Sequence, residues 1–205
     1  MGNAVAAPLA AAVYGNAFAI GSVLMGYEML GSRYIYPYFG GGIGTWAALI
    51  SVVLLSLAIG YFTGGALTQR PRMLRKVALL FVVAAAYLAL VPRCADPVMT
   101  GILDRFASGA VAQFSAAIAL TLVPLSLLAT LSPVAVAVLS ASDARSGAVA
   151  GWVYGISTIG NILGVLVTTF VLVPFAGSRA ITYAFAVIVV VCAATLGLAH
   201  RTYRI

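Results

Sequence analysis

Residues 26–46 read GYEMLGSRYIYPYFGGGIGTW. The run before them, from Ala4 onward, is almost wholly apolar, yet Glu28 arrives before it ends. Arg33 follows five residues later, and Pro37 with Gly40, Gly41 and Gly42 then breaks the chain. The surrounding sequence decides what kind of chain holds a carboxylate there. Of 205 residues, 63% are hydrophobic and 7% charged, with a mean hydropathy of +1.13. That is too little polar surface to clothe a soluble globule, whereas a lipid-facing surface needs none. The chain reads as an all-α integral membrane protein, with residues 1–205 forming a single polytopic domain. MGNAVAAPLAAAV lacks the basic start of a cleaved leader, so the first apolar stretch reads as a retained span.

Apolar stretches of about 20 residues fall near 9–32, 45–68, 75–92, 108–139, 148–173 and 180–199, which gives six transmembrane helices. The fourth stretch is long and contains Pro124 and Pro133. It is either one kinked span or a span plus a half-helix. Basic residues set the orientation. Arg70, Arg72, Arg75, Lys76, Arg145, Arg201 and Arg204 lie on one side, and Arg33, Arg93, Arg105 and Arg179 on the other. The positive-inside bias places both termini in the cytoplasm, in a multi-pass protein of the bacterial inner membrane. The net charge of +7 then reflects orientation and attraction to anionic headgroups. Nucleic-acid binding would need an ordered basic face with stacking aromatics, and four residues in a short loop do not make one.

Conventional catalytic equipment is sparse. His200 is the only histidine, and the acids are Glu28, Asp96, Asp104 and Asp143. No metal-ligand spacing is present and no cofactor is expected. Cys94 reads as an outer-loop thiol and Cys192 as a packing residue in mid-span, too far apart in depth for a disulfide. Asp143 reads as a solvated turn or helix cap, while Asp96 and Asp104 solvate the outer loop or pair with Arg93 and Arg105.

Glycine is more informative. Gly147, Gly151 and Gly155 recur every four residues, as do Gly160 and Gly164, and Gly60 and Gly64 repeat the spacing in the second span. Such stripes let backbones approach closely, which is the main reward for helix association in lipid. They read as packing faces, or as room for a ligand or a sliding helix. The embedded polar residues Tyr154, Ser157, Thr158 and Asn161 fit either role.

YEMLGSRYIYPYFGGGIGTWAALISVVLLSLAIGYFTGGALTQRPR (27–72), LATLSPVAVAVL (128–139) and GAVAGWVYGISTIGNILGVLVTTFVLVPFAG (147–177) together resemble the membrane-embedded region of spermidine-synthase-like proteins, the fused MFS/spermidine synthases. The resemblance spans residues 18–177. It implies a bundle like one half of a facilitator and, as ligands, polyamines or related cations. Ser157 stands where the family pattern has Asn. The aminopropyltransferase domain that usually follows is not expected after Ile205, so the chain is expected to be the membrane module and not an enzyme.

A charged carboxylate facing lipid costs roughly 3 kcal/mol or more, so Glu28 must face protein, water or a cation. Three readings stand: a structural clamp with Arg33 or another helix, a cation, proton or amine site, and a partner contact. Tyr27, Tyr34, Tyr36 and Tyr38 read as an interfacial aromatic belt or as a cation–π cage. The candidate ligand-binding set is therefore Glu28, Arg33, Tyr27, Tyr154, Thr158 and Asn161. Two functions follow: a polyamine- or cation-binding transport module that pairs as a homodimer, or an accessory subunit of a larger membrane complex.

Overall fold

The computed structural model describes residues 7–141 and 146–203. Six long helices account for nearly all of them: α1 (Ala7–Phe39), α2 (Ile43–Thr68), α3 (Met73–Phe106), α4 (Ala110–Ser140), α5 (Ser146–Phe175) and α6 (Ser178–Tyr203). Each is long and apolar enough to cross a membrane. In lipid only a helix can pair every backbone group within its own segment, so such runs have no other stable form unless they close a barrel. Asp143, Arg145 and Arg204, which the sequence placed in a turn and in the basic bias, lie outside the described residues.

Two boundaries differ from the sequence reading. Pro37 does not end α1, which continues to Phe39 and stops where Gly40 turns left-handed, at φ +69°, with its N–H on Tyr36 O at 2.9 Å. Glycine reaches that conformation without a Cβ penalty, which is why it so often ends helices. The outer loop expected after residue 92 is helix. α3 runs to Phe106 through Pro92 and Pro97, because Val91, Ala95 and Met99 continue a buried stripe while Arg93, Asp96 and Arg105 face outward. Cys94 therefore sits exposed on α3, while Cys192 is buried on α6, and both are free thiols. At 33 and 34 residues, α1 and α3 are each about 50 Å long against about 30 Å of hydrocarbon, so their ends project.

α4 is one span rather than a span plus a half-helix. It holds a π segment at Ile118–Leu122 and a single turn residue, Thr130. α5 holds a second π segment at Thr168–Leu172. Each π segment lies just before a proline, Pro124 and Pro174 respectively, where a missing N–H disturbs the ladder.

The helices pack chiefly as α1 on α5, α2 on α4 and α3 on α6, with α1 also on α6 and α3 on α4. Exchanging the first three helices for the last three returns the same set of pairs. Glycine contacts repeat the relation in detail. Gly60 and Gly64 of α2 lie on the Ser126 and Thr130 carbonyls of α4, and Gly160 and Gly164 of α5 lie on the Phe18 and Ser22 carbonyls of α1. Burial follows the same pairing. Half or more of the most apolar stretch is buried in α1 and α4 (50% and 56%), less in α3 and α6 (44% each), and least in α2 and α5 (39% and 17%). α2 and α5 are thus the least covered helices. Three helices is an odd number, so the two triplets cross in opposite senses.

Candidate functional site

α1 presents Gly21, Met25, Glu28 and Ser32 on one face, at steps of three and four residues. Glu28 is 8% exposed, and its carboxylate has neither an ion pair nor a hydrogen bond to another described residue. The clamp with Arg33 is not made. Five residues turn an unbroken helix by about 140°, so Arg33 emerges on another side of α1, where it is exposed.

Nor do the other sequence candidates converge on Glu28. Tyr27 is fully buried and donates its hydroxyl to Leu120 O at 3.1 Å. That carbonyl is one Pro124 leaves without an α-helical donor. The same missing N–H would serve Ala119 O in the π register, and Tyr87 donates there instead at 2.6 Å. Tyr27 is therefore a strut rather than a ligand group. Tyr154 and Thr158 are exposed on α5. Asn161 packs on Gly21, two turns below Glu28, with its Oδ1 sealed and unpaired.

The α1–α5 register pairs residue 18 with 160, 22 with 164 and 26 with 168. It sets Glu28 level with Thr169 and Phe170. Thr169 Oγ1 is also buried without a partner. An unpaired carboxylate on α1 and a sealed amide oxygen on α5, two turns apart, leave acceptors without donors near this helix contact. Acceptors in a span are satisfied by a proton or by a donor-bearing cation.

Beyond Glu28 the bundle opens. Ser32, one turn further along the same face, lines a cavity of about 400 Å³ with Arg33, Tyr36, Thr45 and Trp46. On the other side of Arg33 a second cavity, of about 490 Å³, is lined by Tyr34, Tyr38, Asp96, Ser178 and Arg179. Here the tyrosines act as latches. Tyr34 hydrogen-bonds Thr182 across 3.0 Å, and Tyr38 donates to Asp96 at 3.2 Å. Asp96 pairs with Arg179 at 2.5 Å, and Arg93 lies over the Tyr183 ring at 5.3 Å. Asp96 thus pairs neither with Arg93 nor with Arg105. Both side chains of the Asp96–Arg179 pair are more than half exposed, so it positions α3 against α6 more than it stabilises them.

Sequence reasoning missed Tyr87 and the Asp96–Arg179 pair. A proline in mid-span was the available signal for the first. The second joins residues 83 apart, and no local pattern announces such a link. Among the described residues no group of three or more His, Cys, Asp or Glu side chains could hold a metal ion.

Comparisons of the chain with protein-family models, with curated proteins and with solved structures find no match. The likeness to spermidine-synthase-like proteins accordingly rests on the sequence motifs alone.

Proposed function

We propose that the chain is a non-enzymatic membrane module that binds, and in a paired assembly carries, a cationic solute at Glu28, with polyamines as the class its sequence motifs imply. One observation carries this reading: a carboxylate buried in a span with no cationic partner among the described residues. Such a group is costly unless a proton or cation joins it, and intramembrane carboxylates of this kind mark ion and substrate pathways. The exchange of helix triplets supports it, since inverted three-helix repeats build each six-helix half of a facilitator. The basic end, with Arg70, Arg72, Arg75, Lys76 and Arg201, faces the cytoplasm in this reading, and the bacterial inner membrane is the host.

Spermidine titration of the purified protein tests the proposal. Glu28→Gln keeps the shape and removes the charge, so saturable binding disappears while melting stays level or rises, because an unpaired buried charge has been neutralised. A wild type that binds no amine, together with a mutant that melts early, would make Glu28 architecture instead.

A second reading, an accessory subunit of a larger complex, is favoured by α5. Cβ atoms built on Gly147, Gly151 and Gly155 meet nothing within 4 Å. The close packing expected of that stripe is not made among the described residues.

A further inference from the structure

At the opposite end of the bundle from the Arg33 cavities, Arg72, Arg75, His200 and Arg201 surround a cavity of about 360 Å³. A second cavity of about 300 Å³ shares Arg75, His200 and Arg201 and continues along the outside of the α3–α6 seam. Its walls are apolar: Leu79 and Val82 from α3, Val190, Ala194 and Gly197 from α6. Leu79, Val82 and Val190 are each half or more exposed, so the groove is open to the membrane. Among the described residues no carboxylate lines either cavity.

We propose that this groove is a binding site for one anionic phospholipid, its phosphate held by Arg72, Arg75 and Arg201 and one acyl chain laid along the α3–α6 seam. Charge and shape select the occupant together. Three guanidiniums clustered at one cavity attract an anion, and guanidinium matches phosphate with paired donors. The apolar channel leaving that cluster then requires the anion to carry a hydrocarbon tail. A basic pocket between spans at headgroup level is the established form of lipid-specific recognition, distinct from a diffuse basic surface. Small residues on α6, Ala194 and Gly197, leave the width a chain needs.

Native mass spectrometry of the detergent-solubilised protein, with phosphatidylglycerol, phosphatidylcholine or inorganic phosphate added, tests the site. The wild type should retain one phosphatidylglycerol in preference to phosphatidylcholine, and inorganic phosphate should not displace it. Removing two charges in Arg75→Gln/Arg201→Gln should weaken retention roughly 30-fold. Gly197→Leu fills the groove without touching the arginines. Its new Cβ meets no described residue within 4 Å, and lipid retention should fall while melting holds. Equal retention of the two lipids, unchanged retention in the charge variant, or displacement by inorganic phosphate would overturn the proposal. Should the double variant fail to fold, the wild-type lipid preference and Gly197→Leu decide it.

Discussion

Pro124 has no N–H to give, and two tyrosine hydroxyls serve the carbonyls it leaves open. Tyr27 reaches Leu120 O from α1, and Tyr87 reaches Ala119 O from α3. The irregular turn of α4 is thereby fixed to two neighbouring helices. Tyr27→Phe keeps the ring and strands a buried acceptor, so stability should fall by about 1–3 kcal/mol, read as a lower melting temperature. With Pro124→Ala, which restores the N–H, the same change should cost less. A cost equal in both backgrounds would show that the hydroxyl serves something else. Glu28 was legible as a residue held away from lipid, because its cost there is general. Its lack of a partner was not, since the proximity of Arg33 in sequence says nothing about direction around a helix. The role of Tyr27 was hidden for a related reason: a π turn is a local departure that hydropathy does not register.

At the scale of the element, α5 has two glycine faces. The step from Gly155 to Gly160 breaks the four-residue rhythm, and Gly151 and Gly160, nine residues apart, point about 180° from one another. α1 occupies the second face and leaves the first open. One substitution should therefore act with opposite sign on the two. A methyl at Gly164 collides with the Ser22 backbone, so Gly164→Ala should destabilise by about 1–3 kcal/mol. A methyl at Gly151 meets open space and gains helix propensity, so Gly151→Ala should be neutral or slightly stabilising in the isolated chain. Melting of the two variants side by side is the check, and equal losses would mean that both faces are packed. Spacing made both stripes visible in the sequence. Choosing between them needed the helix pairing, which arises from contacts distant along the chain. The extension of α3 was missed for a different cause: Arg93 and Asp96 looked like loop residues because charge alone does not distinguish a loop from the wet side of a helix.

At the scale of the molecule, class and span number were legible because lipid imposes length and apolarity on every segment that crosses it. The pairing order α1–α5, α2–α4, α3–α6 was not, since small-residue stripes do not name their partners. That order leaves α2 and α5 least covered. In the orientation proposed above, the basic bias inserts every copy in the same sense, so a pair of copies would be related by an axis along the membrane normal, as the halves of a facilitator are. We propose that Glu28 serves a cation site that a pair of copies completes. Native mass spectrometry of the detergent-extracted protein with spermidine tests it most directly. A dimer of this chain carrying bound amine is expected, with the amine lost in Glu28→Gln. A monomer, or a complex with an unrelated subunit that holds no amine, would contradict it.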